Sequence, residues 1–433
     1  MLYRALLLLL LPLATALPTP PLLAHDARLI AATRARIAAA DPATRAALAH
    51  AVDAATDALA LGPFSVTQAP NTAPSGDARD YYSIAKYYWP CNALPLHCSN
   101  NASASCDASS GLPWVDCDGL VDPIVQFYAL PQITNMSAAV AALAAGYIWT
   151  GRADFAARAA ELVRAFFTDV HTGMRPNMNY AQVEPGKTAN GSHWGIIELS
   201  ASFVEQVLDG IALIAPSGAW SDGDHALFLD WLGAFAAWLR GSDLGRAEYG
   251  AFNNHQSWYT TVLAAADAWL GDAQGCAALL RATLEPPPLG APFAPLGVQI
   301  GPDGGLPAEE ARTNSVGYVN FDSLALLTLG AIARAPVVRA AGAPDLLNYT
   351  TRSNHTGIRA AVDFVVPYAL GEKVWPFQNL TGTSWAVFAE EFGRAANVVG
   401  WEDGRESYVA LATRLGDPHA AWTLFWPLAY AAE

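Results

Sequence analysis

Segments of helix length, with apolar residues repeating on one face, follow one another along most of this chain. We predict helices over 137–167, broken near Gly151, and over 195–214, 222–239, 255–284, 320–333, 358–370, 384–399 and 402–414, with one helix or two over 25–61. Alanine, the best helix former, is abundant, and no alternation typical of strands is sustained. Successive helices of about 10–20 residues with short loops are typical of an array of helical hairpins. The chain is therefore predicted to be all-α, with the aromatic-rich stretch 420–432 as a closing helix.

The composition is that of a globular protein with a large core. Of the 433 residues, 53% are hydrophobic and 15% are charged, which excludes a disordered chain. The formal net charge is −15, and an acidic protein does not attract nucleic acid or anionic membranes through its overall charge. We therefore expect neither nucleic acid nor membrane as a partner, and we expect a monomer.

The first 16 residues have the pattern of a secretory signal peptide. Arg4 supplies the positive charge, residues 5–13 form an apolar run too short to span a bilayer, and Ala14-Thr15-Ala16 is a small-residue cleavage site. The mature chain, 17–433, is expected to be a single secreted, extracellular domain. Six Asn-x-Ser/Thr sequons suit a eukaryotic secretory route and are candidate glycosylation sites: Asn101, Asn135, Asn190, Asn348, Asn354 and Asn379.

Four of the five cysteines crowd into one segment, 91–117: Cys91, Cys98, Cys106 and Cys117. In an oxidising compartment they indicate two local disulfides, with three pairings open, within a Cys-rich insertion. A zinc site is the alternative, but the spacings contain no Cys-x-x-Cys pair and no paired-His motif accompanies them. Cys276 is left over and is predicted to be buried in a helix. No metal or other cofactor is expected.

The most informative polar motif is the octet 252–259, which opens a predicted helix near the middle of the chain. Asn253 or Asn254 can serve as its N-cap, which places His255 in the first turn, where free N–H groups and the helix dipole favour an anion. A capped helix with a packed histidine is the simpler interpretation. However, two amides, a histidine and two aromatic residues at one helix start are more polar than packing requires.

Three further segments carry polar or aromatic side chains that are candidates for a site. Arg312 and Tyr318 lie six positions apart, close to the start of another helix; a surface ion pair with a packed tyrosine is the ordinary alternative. The run 80–90 is dense in aromatic residues and is either a packing segment or a wall on which sugars stack. The segment 171–193 is a long polar loop, and long loops in compact domains are often functional.

Taken together, the segments 80–90, 111–113, 174–182, 253–259 and 303–318 resemble, in this order, the alginate lyase superfamily of secreted polysaccharide lyases. The resemblance spans most of the mature chain. It implies an (α/α) toroid with a substrate groove, and cleavage of a uronic-acid polymer by β-elimination. The Cys-rich insertion departs from the simpler bacterial members and should border the groove. Both alginate, as polymannuronate, and glucuronan therefore stay open as the substrate.

The chemistry of elimination suits four of these residues. The C5 proton of a uronate is weakly acidic, so its carboxylate must be neutralised, and Asn254, Arg312 and the helix N-terminus can do this. His255 is the candidate base for that proton, and Tyr318 can protonate the leaving O4 because tyrosine is protonated at neutral pH. The resemblance leaves a second assignment open, in which Tyr318 is both base and acid for one C5 stereochemistry and His255 is the base for the other.

Further residues are expected, from the resemblance, to contact substrate along the groove. Lys86 or Lys187 is a candidate contact for a substrate carboxylate. The complete set of expected groove residues is Asn253, Tyr259, Asn179, Tyr180, Gln182, His193, Trp194, Tyr82, Lys86, Tyr88 and Trp89.

Two other functions compete with this interpretation. A glycoside hydrolase on the same kind of toroid would need two carboxylates about 5–9.5 Å apart, with candidates Glu198, Asp303, Glu309, Glu310, Glu390 and Glu391. A secreted protein that binds polyuronates without turnover would keep the groove. The presence of Asn254, His255, Arg312 and Tyr318 argues against that second alternative.

Overall fold

The computed structural model describes residues 17, 19–101, 105–284, 296–351 and 356–428. The expected signal peptide, 1–16, and the sequon at Asn354 lie outside them. The helices are α1 (Ala27–Ala38), α2 (Pro42–Ala58), α3 (Leu130–Thr150), α4 (Ala153–Val163), α5 (Ile197–Ser202), α6 (Asp209–Ile214), α7 (Asp222–Gly241), α8 (Asp243–Tyr249), α9 (Asn254–Trp269), α10 (Ala273–Ala282), α11 (Leu296–Gln299), α12 (Pro307–Glu310), α13 (Ser315–Arg334), α14 (Pro336–Ala340), α15 (Ile358–Ala369), α16 (Ala389–Ala395) and α17 (Arg405–Leu415).

Four short strands form two small sheets beside the helices. Strand β1 (Tyr82–Ile84) pairs in parallel with β4 (Tyr180–Val183), and β2 (Tyr88–Trp89) pairs antiparallel with β3 (Val115–Asp116). Strands of two to four residues are too short to show the alternation by which a strand is recognised in sequence. The aromatic run 80–90 therefore contains strands that the sequence did not predict.

The helical periods predict most helices, and local chemistry explains where they stop. Gly151, with φ 73°, ends α3, and Gly271, with φ 82°, separates α9 from α10 within the segment predicted as one helix. The 25–61 segment forms two helices because Asp41 caps α2, accepting a hydrogen bond from the Ala43 N–H. The prediction for 420–432 is wrong in its described part. Only a 3₁₀ turn, Ala421–Leu424, forms there, and Pro427 has no N–H with which to continue a helix.

The helices pack into a ring around a large hydrophobic core, and Ile197, Trp258 and Ala325 form a small second cluster. Helix α2 packs on α3, α3 on α4, α5 and α6, α5 on α9, α9 on α7 and α13, α13 on α15 and α16, and α16 on α17. The turn Ala421–Leu424 contacts both α16 and α2 and so closes the ring. This is the (α/α) toroid that was predicted.

Helix α9 lies at the centre of this packing, with every residue from Asn254 to Trp269 buried. Its neighbour α13 is the one helix in the described ranges that is long and apolar enough to cross a membrane. Most of α13 is buried inside the protein, as expected for a core helix. Two central buried helices therefore begin close to the residues singled out by the sequence, since His255 lies near the start of α9 and Tyr318 near the start of α13.

The cysteine-rich insertion contains two disulfides, which confirms the prediction and selects one of its three pairings. Cys91 is bonded to Cys106 and Cys98 to Cys117, while Cys276 is free and buried in α10, as predicted. The Trp114 N–H donates to the Pro185 carbonyl at 3.2 Å. The insertion therefore packs against the loop that follows β4.

Candidate functional site

The first turn of α9 is capped by Asn253 and joined to a carboxylate of α12. The Asn253 side chain accepts a hydrogen bond from the His255 N–H at 3.1 Å, the geometry of an N-cap. The Asn254 N–H donates to Glu309 Oε1 at 2.7 Å, and Asn254 Nδ2 lies 2.9 and 2.8 Å from the two oxygens of the same carboxylate. Both groups are buried. The anion at this helix start is therefore the protein's own Glu309, and the donors of Asn254 that were expected to meet substrate are engaged by it.

A buried carboxylate joins two histidines beside this turn. Glu248, in α8, is 0% exposed. Its Oε1 lies 2.7 Å from His255 Nδ1 and its Oε2 lies 3.0 Å from His193 Nδ1. The Trp194 ring lies 4.6 Å from the His255 ring and 3.8 Å from the His193 ring, centre to centre. Because Trp194 is 39% exposed, this His-Glu-His cluster (His193, Glu248 and His255) lies near the protein surface.

Burial makes His255 a neutral imidazole at neutral pH. It lowers the pKa of His255 to about 3; the charge of Glu309 opposes this shift, and the charges of Arg312 and Lys86 reinforce it. Burial also raises the pKa of Glu248 to about 7, opposed by its hydrogen bond and charge interaction with His193. Nδ1 of His255 is committed to Glu248, so Nε2 is the nitrogen that remains for a substrate. The charges that act on His255 are thus those of Glu309, Arg312 and Lys86.

Arg312 and Tyr318 form a second group, at the start of α13. Arg312 Nη2 donates to Tyr318 Oη at 2.8 Å, and the guanidinium lies 3.7 Å from the centre of the Tyr318 ring. On its other side Arg312 forms a two-point ion pair with Asp118, through Nε at 3.2 Å and through Nη2. The Tyr318 and Tyr87 hydroxyls lie 2.5 Å apart. Arg312 and Tyr318 are thus direct partners, which sequence spacing could not establish.

The charge states of this second group follow from burial and pairing. Burial raises the pKa of Tyr318, and the neighbouring Tyr87 adds to this effect, while the charge of Arg312 opposes it. Burial disfavours the charged form of Arg312, but its ion pair with Asp118 outweighs this and raises the pKa of the guanidinium. At neutral pH the site therefore holds a protonated phenol against a permanent cation.

Glu309 connects the two groups. It accepts hydrogen bonds from Asn254 at the start of α9, and its charge acts on both His255 and Arg312. Helices α9 and α13 also pack directly on each other. A neutral imidazole, a guanidinium and a phenol are thereby positioned by two adjacent helix starts.

Several expected groove residues lie partly or fully exposed, either on the short strands or next to them. Lys86 Nζ lies 5.1 Å from the centre of the Tyr87 ring. Lys187 Nζ lies 3.3 Å from Tyr88 Oη and 3.2 Å from Glu184. Tyr82, Tyr88, Trp89 and Tyr180 are partly exposed on β1, β2 and β4, and Asn179 accepts a hydrogen bond from Trp238 Nε1 at 2.9 Å.

Two expected groove residues instead face the protein interior. The Tyr259 ring is buried against Tyr249, and its hydroxyl donates to the Leu239 carbonyl at 3.0 Å. Gln182 is buried, and its side-chain amide donates to Glu198 Oε1 at 3.1 Å. Both side chains donate hydrogen bonds within the protein. They therefore stabilise the elements that carry the site and do not face the substrate.

Sequence reasoning missed Glu248, Asp118 and Tyr87. Glu248 lies seven residues before His255 in α8, a helix that was not predicted, and no motif connects the two. Asp118 and Arg312 are 194 residues apart, and Tyr87 and Tyr318 are 231 apart. The signal available was indirect: Asp118 follows Cys117 directly, and Tyr87 lies in the aromatic run.

The carboxylates that a hydrolase would need are largely used within the protein. Glu198 accepts hydrogen bonds from Tyr81 and Ser83, Glu309 from Asn254, and Glu391 from Asn320. All three carboxylates are buried. Across the described part of the chain, no group of three or more His, Cys, Asp or Glu residues is placed to hold a metal ion.

Comparison with known proteins gives one family. A family model described as alginate lyase matches residues 65–375, which include both groups of the site. The crystal structure of an alginate lyase from Bacteroides ovatus superposes with a TM-score of 0.79 at 26% identity, covering 96% of this chain and 100% of that one. A variant of alginate lyase A1-III complexed with tetrasaccharide covers 97% of this chain and 98% of its own at 15% identity, but its TM-score of 0.45 supports no closer comparison. No curated protein matches the chain.

Proposed function

The chain belongs to the alginate lyase family of polysaccharide lyases, and we propose that it cleaves a uronic-acid polymer by β-elimination, leaving a C4–C5 unsaturated uronate. The substrate class is alginate, as polymannuronate, or glucuronan. One observation carries the proposal: the Tyr318 hydroxyl is held 2.8 Å from Arg312 Nη2 and 2.5 Å from the Tyr87 hydroxyl, and the charge of the same Arg312 acts on the neutral His255.

Neutralisation of the substrate carboxylate falls mainly to Arg312. Its ion pair with Asp118 and its bond to Tyr318 use Nε and Nη2, so Nη1 is the part of the planar fork that can donate to the uronate. Lys86, whose charge acts on His255, is the second cation. Asn254 reaches the substrate only by exchanging Glu309 for it, and its role is therefore chiefly to fix Glu309. In this scheme protein side chains supply the positive charge, and no metal takes part.

Removal of the C5 proton falls to His255 Nε2. The pKa of the unliganded His255 is low because the ring is buried, so the imidazole is neutral when substrate binds. A bound polyuronate brings negative charge next to the ring and raises the pKa of His255, making it a stronger base in the complex. The C5–H pair becomes the C4–C5 double bond as the C4–O4 bond breaks, and the proton stays on His255.

Protonation of the leaving O4 falls to Tyr318. Its raised pKa keeps the hydroxyl protonated until negative charge develops on O4, and the hydrogen bonds from Arg312 and Tyr87 then stabilise the phenolate. Exchange with water resets Tyr318 and His255. In mannuronate and glucuronate the C5 proton and O4 lie on one face of the ring, so for these substrates the phenol is also placed to serve both steps, and this second assignment is part of the proposal. In guluronate they lie on opposite faces, and there the base must be His255.

The choice between polymers belongs to the groove walls. Mannuronate and glucuronate have the same configuration at C4 and C5 and differ at C2, so one set of eliminating groups suits both. The Cys-rich insertion packs against the loop carrying Lys187, and Lys187 contacts Tyr88. This wall is therefore the region expected to recognise a substituent away from the reacting bond.

The experiment offers purified protein polymannuronate, polyguluronate and polyglucuronate separately and follows the ultraviolet absorbance of the new double bond. A rise on one polymer supports elimination and identifies the substrate. New reducing ends without absorbance would indicate hydrolysis, and binding without any product would indicate a binding protein. Activity that persists in excess chelator supports elimination without a metal, and loss that is restored by added metal would contradict it.

Secretion and glycosylation belong to the same proposal. The two disulfides suit an oxidising compartment. Asn135, Asn190 and Asn348 are exposed, whereas Asn379 is half-buried and its Nδ2 donates to the Gly382 carbonyl at 2.5 Å. We expect glycans on the exposed sequons in preference to Asn379. Mass spectrometry of enzymatically deglycosylated peptides would test this.

A further inference from the structure

Glu248 stands out among the buried carboxylates because its two oxygens contact two different imidazoles. Oε1 lies 2.7 Å from His255 Nδ1, and Oε2 lies 3.0 Å from His193 Nδ1. The ring centres of the two histidines are 6.4 Å apart. A carboxylate accepts hydrogen bonds but cannot donate them when ionised, so an ionised Glu248 requires a proton on Nδ1 of both rings.

The surroundings of Glu248 leave it no other charged partner among its described contacts. Helix α8 packs against α7, α9 and the turn His193–Ile196. The titratable groups that face the Glu248 carboxylate from those elements are His193, His255 and Tyr259, whose pKa the charge of Glu248 helps to raise. Arg240 of α7 is paired with Asp267 instead. When Glu248 is ionised, its charge is therefore balanced, among its described contacts, by the N–H groups of the two imidazoles.

We propose that Glu248 is a positioning residue that holds the proton of His255 on Nδ1, so that the Nε2 lone pair faces the C5 proton of the substrate. The same carboxylate then stabilises the imidazolium that forms when this proton is taken, as the acid of a Ser-His-Asp triad does. His193 likewise carries its proton on Nδ1, donates it to the other oxygen of Glu248, and so keeps the carboxylate in place. This inference rests on the proposed function, because it assumes that His255 is a base.

Glu248→Gln is the decisive substitution. A glutamine side chain offers one acceptor and one donor group in place of two acceptors, so one of the two neutral imidazoles must accept at Nδ1 and carry its proton on Nε2. If that ring is His255, the base is lost; if it is His193, the imidazolium that forms at His255 still loses the carboxylate that stabilises it. We expect kcat to fall by between about 10² and 10⁴, compared with about 10⁴ for the equivalent change in a triad, with little change in KM.

Asp209→Asn is the matched control. Asp209 is also fully buried, and its Oδ2 lies 2.9 Å from His25 Nδ1. This pair joins α6 to the N-terminal segment, because Asp209 also accepts hydrogen bonds from the N–H groups of Leu23 and Ala24. The same chemical change there should lower the melting temperature and leave kcat per folded molecule unchanged. Glu248→Asp, which keeps the charge, should keep more activity than Glu248→Gln and covers the case in which the latter does not fold.

The test reads the tautomer and the kinetics separately. Nitrogen-15 NMR of histidine-labelled protein, with His255 assigned by loss of its signal in His255→Gln, should show the proton on Nδ1 in the wild type and a changed tautomer at His255 or His193 in Glu248→Gln. A proton on Nε2 of wild-type His255, or wild-type kcat in a folded Glu248→Gln variant, would overturn the inference. If no polymer yields unsaturated product while the tautomers are as expected, the proposed function fails and the placement of the proton stands.

Discussion

Replacement of Tyr318 by phenylalanine removes one oxygen atom from the site and tests its chemistry directly. The hydroxyl has two partners, Arg312 Nη2 at 2.8 Å and the Tyr87 hydroxyl at 2.5 Å. The ring keeps its contact with the guanidinium, which lies 3.7 Å from the ring centre. The substitution should therefore leave the shape of the groove intact while the proton donor is lost.

The expected magnitudes follow from those contacts. A positioned acid contributes about 10²–10⁴ to the rate, so kcat should fall by that factor if Tyr318 is only the acid, and by more if it is also the base. The loss of stability should be near the lower end of the roughly 1–3 kcal/mol range for an unsatisfied buried group, because the Arg312 and Tyr87 side chains that lose a partner are only half-buried. The affinity for the polymer should change little.

The assay combines ultraviolet detection of product with equilibrium binding to the same polymer. Tyr408→Phe is the matched control, since Tyr408 is buried in α17 and its hydroxyl donates to Asp363, away from the site. That variant should lose stability and keep kcat. Full turnover by a folded Tyr318→Phe variant would refute the assignment of the acid, and a parallel loss of binding and turnover would indicate that the hydroxyl serves binding instead.

Three further outcomes are expected. Arg312→Lys keeps the charge but cannot span Asp118 and Tyr318 with one planar group, so kcat/KM should drop by about 10²; unchanged kinetics would show that charge alone suffices. Replacing Cys98 and Cys117 by serine should lower kcat more than replacing Cys91 and Cys106, because Cys117 precedes Asp118 and its N–H donates to the Tyr87 carbonyl at 2.8 Å; equal losses would contradict this. The free energy of unfolding in urea, measured against pH, should distinguish Glu248 from His255. The raised pKa of Glu248, about 7 against 4.5, makes stability fall as pH rises between these two values. The lowered pKa of His255, about 3 against 6.5, makes stability rise as pH rises between its two values. The stability of Glu248→Gln should therefore rise with pH and that of His255→Gln should fall. Parallel profiles for the two variants would argue against both pKa shifts.

The local pattern of the sequence determined the helices and the elements that end them. Apolar spacing at a 3.6-residue period marks the buried face of a helix, and glycines such as Gly151 stop helices because they adopt positive φ without strain. The cap at Asn253 and the clustering of four cysteines are equally local, since each involves residues close together in the chain. All of these features could be predicted without knowing the ring of helices.

The candidate reacting groups were also visible in the sequence, but their partners were not. His255, Arg312 and Tyr318 were singled out because the segments 253–259 and 303–318 resemble those of the alginate lyase superfamily and carry side chains suited to elimination. Glu248 and Asp118 are ordinary acidic residues until folding buries them against a histidine or a guanidinium.

Only the tertiary structure decided which residues form ion pairs and hydrogen bonds with one another and which face the core. Asp118 meets Arg312 across 194 residues, and Tyr87 meets Tyr318 across 231. The same packing turns Tyr259 toward the Leu239 carbonyl and away from the groove. Contacts between distant segments depend on how the helices assemble, and neither the helical period nor local spacing predicts that assembly. The protonation of the site depends in turn on burial, which arises when the ring of helices closes.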